Sequence, residues 1–280
     1  MNISKESTSR MVKTADWNIH YHEAGSGHAL ILLHGSGPGA TGWSNFSGNL
    51  PGLAAHFRVL AVDMPGWGAS DACPVERMNH VDATIQFMDK LGIDKAAVIG
   101  NSMGGVNAVR LAVEHPHRVS HLITMGAVAN RSPKLFGAGD GPTEGLKMLV
   151  EAYRTPSADA MRRLVEIMCF DKRFASEDLC RARSEAASAK PEHLKNFLAG
   201  LPKGAPVPQM ATLEQMMGIK APSLLIHGRD DRVVHYEHSL LLVAHIPNSR
   251  LVLINRCGHW AMIEHAQEFN RLVTDFVGNN

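Results

Sequence analysis

The sequence predicts an α/β fold: a mostly parallel central sheet flanked by helices, with a helical cap inserted in it. Three observations predict it. Short apolar runs bounded by Gly, Pro or Asp alternate with helical patterns. Between residues 130 and 218 that rhythm stops, and no buried strand is legible. The length, 280 residues, suits one large α/β domain with a subdomain inside it.

Taken in order, residues 17–22, 29–33, 59–62, 96–99, 122–125, 223–226 and 251–254 read as buried strands. Helical patterns cover 79–91, 102–114, 236–244 and 264–276. Strands joined through helices pair in parallel with right-handed crossovers. The first strand is the exception: only a short turn separates it from the next, which suits an antiparallel strand. Residues 1–129 and 219–280 are therefore assigned to the core domain and 130–218 to a helical cap. Within the cap, helical patterns at 158–169 and 176–189 alternate with the pieces GAGDGP and LPKGAPVP. Its Met, Phe and Leu side chains, among them Phe136, Met168, Phe170 and Phe174, are read first as packing residues.

Composition excludes several classes of function. Hydrophobic residues make up 45% and charged residues 20%, which excludes a disordered chain. The formal net charge is +1 and no basic tract stands out, against a nucleic-acid or anionic-membrane partner. The opening MNISKESTSRMVKTADW lacks the apolar core of a signal peptide, and no apolar stretch approaches the length of a membrane span. The four cysteines form no CxxC pair and read as reduced thiols, so a cytoplasmic location is expected. His20/His22 and His115/His117 form HxH pairs, but neither has an acid or thiol at zinc spacing, and HExxH is absent. No metal is expected.

The chemistry gathers around VIGNSMGGVN, residues 98–107. Strand, Gly100-Asn101-Ser102-Met103-Gly104, helix is the order of a nucleophile elbow. A sharp strand-to-helix turn strains the serine backbone and presents Oγ at the carboxyl end of the sheet. The following helix aims its free N–H groups at the same spot, and the Met103 amide becomes an oxyanion donor. Alone, the motif also suits an ordinary glycine-rich turn. A serine nucleophile needs a base, and the base needs an orienting acid. Two later loops leave the same end of the sheet: LLIHGRDDRVV and LVLINRCGHWAMIEH. His259, in the tight loop after Cys257-Gly258, is the candidate base, with His235, His238 and His265 more peripheral. Asp230 and Asp231 compete for the acid. The loop His34-Gly35-Ser36-Gly37-Pro38-Gly39 follows an early strand, and its glycines let a ligand oxygen approach the backbone. The Ser36 amide is the second candidate oxyanion donor. A phosphate loop is disfavoured, since G-x-x-x-x-G-K is absent.

Five segments carry a resemblance: LLHGSGPGATGWSNF (32–46), VIGNSMGG (98–105), KPEHLKNF (190–197), GRDDRVV (228–234) and RCGHWAMIEHAQEFNRLV (256–273). The chain resembles the α/β-hydrolases and, more narrowly, the meta-cleavage product hydrolases, including those acting on the biphenyl-derived dienoate. That family cuts the C5–C6 bond of 2-hydroxy-6-oxohexa-2,4-dienoates, ring-fission products of aromatic degradation. The products are 2-hydroxypenta-2,4-dienoate and a carboxylic acid. The resemblance implies Ser102, Asp231 and His259 as a triad; in related loops the acid stands three residues after the glycine, here Gly228. It implies Ser36 and Met103 as oxyanion donors. It implies Gly35, Asn45, Asn101, Arg183 and Trp260 at the dienoate end, with Arg181 a rival to Arg183. It implies no cofactor, a small-molecule dienoate as partner, and a homodimer or larger homo-oligomer. Read without it, Trp260 is a core aromatic, Arg183 a solvated helix charge and Asn45 a helix cap. The chain departs from many relatives at His235, where they have proline, and at Met262 and Ile263. Ester hydrolysis by the same triad is the alternative activity.

Overall fold

The computed structural model describes residues 3–130, 142–201 and 210–279. Eight strands form one sheet: β1 (Ser9–Lys13), β2 (Asn18–Ala24), β3 (Ala29–Leu33), β4 (Arg58–Val62), β5 (Ala96–Asn101), β6 (Val119–Met125), β7 (Ser223–Gly228) and β8 (Ser249–Ile254). Their order is β1-β2-β4-β3-β5-β6-β7-β8. From β4 to β8 every neighbour pair is parallel. The chain up to β6 contributes the helices α1 (Lys5–Thr8), which precedes β1, α2 (Gly42–Phe46), α3 (Leu50–Leu53), α4 (His80–Lys90) and α5 (Met103–Glu114). Between β6 and β7 come α6 (Glu144–Arg154), α7 (Ala158–Met168), α8 (Glu177–Ser188), α9 (Pro191–Gly200) and α10 (Leu213–Met217). After β7 come α11 (Glu237–His245), α12 (Ala261–Glu264) and α13 (Ala266–Gly278).

The seven strands read from apolar runs are present. β3, β5 and β7 are buried along their whole length, as strands covered on both faces must be. β2 is antiparallel as expected, but it pairs with β1 and β4, not with β3 across the short turn. The periodicity gave no sign of β1, because SRMVK lies at the sheet edge and is mostly exposed. Among the described residues between β6 and β7 there is no strand. There α6 packs on α7 and α9, and α7 on α8, whereas α10 lies against α5 and α11. Parallel strands all release their loops at one end, so the loops after β3, β5, β7 and β8 emerge together. Among the described residues no helix is long and apolar enough to cross a membrane.

Candidate active site

Ser102 sits between β5 and α5 with φ 52° and ψ −116°, a conformation that costs a non-glycine residue about 1–3 kcal/mol. The surroundings impose it. The Ser102 N–H donates to the Met125 carbonyl at 2.7 Å, and its own carbonyl accepts from the Val106 N–H at 3.0 Å. The flanking glycines leave no room for side chains. A Cβ on Gly100 would fall 2.1 Å from the Gly104 carbonyl oxygen, and one on Gly104 would fall 2.2 Å from that of Leu33. Met103 is the first residue of α5, where a backbone N–H has no partner within the helix.

His259 and Asp231 meet in the interior, with Nδ1 2.7 Å from Oδ2 and both side chains almost fully buried. The other carboxylate oxygen accepts from the Val233 and Val234 N–H groups at 2.7 and 2.9 Å. Burial alone would push the Asp231 carboxyl up. The electrostatic effect of the neighbouring His259, with the bonds from His227 and His259, outweighs burial and holds the carboxyl well below the usual range. Asp230 makes no such contact: its carboxylate lies 3.8 Å from Arg229. The His259 backbone is tied twice. Its N–H donates to the Met168 carbonyl at the end of α7 (2.7 Å), and its carbonyl accepts from Asn101 Nδ2 (3.2 Å).

One small cavity is lined by Gly35, Ser36, Asn45, Asn101, Ser102, Arg183, His259 and Trp260, with Leu149 and Met168 beside them. Among the described hydrogen bonds, none joins the Ser102 hydroxyl to His259; such contacts often tighten only around substrate. Arg183, on α8, is 2% exposed, and its Nε, Nη1 and Nη2 have no hydrogen-bond partner among the described residues. Its guanidinium lies 4.4 Å from the Trp260 ring centroid. Burial lowers its pKa to about 10, so it is charged at neutral pH. Arg181 is exposed and paired with Asp178 on the same helix. Asn45 is buried, with Nδ2 unpartnered among the described residues. Asn101 spends both amide hydrogens on the Met125 and His259 carbonyls, leaving Oδ1 buried without a partner among the described residues. Of the apolar residues singled out in the sequence, Met168 reaches the cavity, Phe170 is exposed beneath Arg256, and Phe136 lies outside the described residues.

Three further residues shape the site. His227 Nε2 lies 3.2 Å from Asp231 Oδ2, and its Nδ1 lies 2.7 Å from Ser239 Oγ. It stands directly before Gly228, but one histidine in an apolar strand carries no signal of its partner. His34 Nε2 accepts from the Met64 N–H, which leaves Nδ1 to donate to the Gly35 carbonyl at 2.7 Å. Glu264 accepts from the Gly258, Phe170 and Asp171 N–H groups, joining the His259 loop to the segment after α7. The four cysteines are free and buried.

The family model described as the alpha/beta hydrolase fold matches residues 28–266. A 2-hydroxy-6-oxononadienedioate/2-hydroxy-6-oxononatrienedioate hydrolase of Cupriavidus pinatubonensis is 42% identical over 289 residues, covering 99% of this chain and 98% of the relative. A 2-hydroxy-6-oxo-6-phenylhexa-2,4-dienoate hydrolase of Burkholderia cepacia is 40% identical over 286 residues, covering 99% of both. The solved structure of a meta-cleavage product hydrolase from Pseudomonas fluorescens IP01 superposes with a TM-score of 0.86 at 33% identity, covering 98% of this chain and 99% of that one.

Proposed function

Because the chain belongs to the α/β-hydrolase family and, within it, to the meta-cleavage product hydrolases, we propose that it cleaves the C5–C6 bond of a 2-hydroxy-6-oxohexa-2,4-dienoate with Ser102 as nucleophile. It is a C–C bond hydrolase. The observation that carries the substrate reading is Arg183. A charge taken out of water costs several kcal/mol unless it is paired. Here all three guanidinium nitrogens lack a partner among the described residues, and Arg183 lines the cavity that also holds Ser102 and His259. The missing partner is an anion that enters with the ligand. A dienoate supplies one, with its C1 carboxylate and C2 oxygen set close together for a planar fork.

In this reading α6 to α9 form a cap over the loops at the carboxyl end of the sheet. Arg183 takes the carboxylate, and the Trp260 indole N–H and Asn45 Nδ2 add donors. Asn101 can only accept at its free Oδ1, which suits the 2-hydroxyl. The bound dienol loses its hydroxyl proton and gains one at C5, giving the keto tautomer. Ser102 Oγ attacks the C6 carbonyl while His259 takes its proton, and Asp231 stabilises the imidazolium. The amides of Ser36 and Met103 hold the oxyanion, with Gly35 allowing close approach. The C5–C6 bond then breaks. Its electron pair spreads into the dienolate, which leaves as 2-hydroxypenta-2,4-dienoate after protonation. Water, deprotonated by His259, releases the carboxylic acid from Ser102. No step calls for a metal or organic cofactor.

The test is optical. Ring-fission dienolates are yellow and bleach on cleavage. Purified protein is expected to bleach 6-phenyl or 6-alkyl dienoates. No bleaching with any of them, together with rapid p-nitrophenyl ester turnover, would replace this reading with that of an esterase.

A further inference from the structure

Three consecutive carbonyls in the loop after β3 each receive a side-chain donor. The Gly35 carbonyl accepts from His34 Nδ1 at 2.7 Å. The Ser36 carbonyl accepts from the Tyr153 hydroxyl at 2.6 Å. The Gly37 carbonyl faces Trp67 Nε1 at 3.2 Å, and the same indole N–H donates to the Tyr153 oxygen at 3.0 Å. A trans peptide is planar, so its N–H points opposite to its C=O. Fixing the Gly35 carbonyl therefore fixes the Ser36 N–H, and fixing the Ser36 carbonyl fixes the other peptide plane of the same residue. Ser36 is clamped on both sides.

Only one of these donors comes from outside the core. Tyr153 lies near the end of α6, is 2% exposed, and stacks on Phe197 of α9 with ring centroids 3.5 Å apart and an interplanar angle of 2°. The stack leaves the phenol little freedom except to present its hydroxyl to the loop. Burial pushes that phenol far up, so it stays a neutral O–H donor at every working pH. We propose that Tyr153 is a positioning residue for the Ser36 amide, so that the helices between β6 and β7 help to aim the oxyanion donor. This role rests on the reading of Ser102 as the nucleophile. It concerns the tetrahedral oxyanion and not the binding of the dienoate.

Tyr153→Phe keeps the ring and its stack and removes only the hydroxyl, leaving the Ser36 carbonyl without its donor. Losing an oxyanion donor outright costs about 10²–10³ in kcat, and misaiming one is expected to cost about tenfold. KM is expected to stay within about twofold. Affinity for an arylboronic acid, which forms a tetrahedral anionic adduct on serine, should fall by about the same tenfold. Dienoate affinity measured in the Ser102→Ala background should be the same with Tyr153 or Phe. A general loss of structure would move all four quantities and lower the melting temperature. Trp67→Phe, which leaves the Tyr153 hydroxyl in place, should lose less kcat than Tyr153→Phe. Parent-like kcat and boronate affinity in Tyr153→Phe would overturn the role, as would a loss carried by KM and dienoate affinity, or a larger loss in Trp67→Phe. If Ser102→Ala still cleaves, it is the nucleophile reading that fails; if Ser102→Ala is silent and Tyr153→Phe is parent-like, only the role of Tyr153 fails.

Discussion

The two ends of the cavity are built by different means. At the sheet end, Ser102 and the loops carrying Asp231 and His259 follow β5, β7 and β8 of one parallel run, and backbone sterics and backbone hydrogen bonds hold them. At the helical end, Arg183 is held by burial and by the Trp260 ring, with no hydrogen bond from the described residues to fix it. At the first end the His259–Asp231 pair is already formed. The second carries a charge unpaired among the described residues, which an anionic ligand completes in the proposed reading. In the proposed mechanism, the sheet end stores strain for chemistry and the helical end stores desolvation for recognition.

The largest predicted effect breaks the sheet end alone. Ser102→Ala should lower kcat by about 10⁴-fold or more while still binding the dienoate, read by stopped-flow absorbance. Next comes Arg183→Met. It should lower kcat/KM by about 10²–10³, equivalent to about 3–4 kcal/mol. It should also raise the melting temperature, because replacing a buried unpaired charge with an apolar side chain favours the fold. No such gain is expected from Gly104→Ala, whose Cβ would meet the Leu33 carbonyl at 2.2 Å. That variant should lose about 3 kcal/mol in denaturant unfolding, within the range for strained backbone positions.

These contrasts also explain what was legible in the sequence. The sheet end was largely readable, because a steric demand at Gly100 and Gly104 has one cheap solution and leaves a short fixed pattern around Ser102. The apolar strands were readable for the same reason: β3, β5 and β7 are buried on both faces. The helical end was not readable from residue patterns. An arginine on a helix carries no mark of being buried, and Arg183 differs from exposed Arg181 only by turning to the other face. Family resemblance, not periodicity, pointed to it. His227, Tyr153 and Glu264 were missed because each acts through a contact distant in sequence or unmarked by its neighbours. β1 was missed because an exposed edge strand needs no apolar alternation.

The smallest predicted effect concerns pH. The Asp231 carboxyl is held below its ordinary range, so it adds stability above the unfolded-state value of about 4 and loses it as pH falls further. Asp231→Asn lacks that contribution. The stability difference between parent and variant should therefore shrink below about pH 4. A difference that grows in acid would mean that the carboxyl is raised in the folded protein.

Recognition by Arg183 is read most directly by calorimetric titration of a 6-phenyl dienoate into Ser102→Ala and into Ser102→Ala/Arg183→Met, neither of which should turn it over. Binding is expected to be about 10²-fold weaker in the double variant, since a bound carboxylate loses Arg183, the only buried Arg or Lys among the described residues. Equal affinities would contradict it, and would leave the unpaired guanidinium of Arg183 without a purpose in recognition.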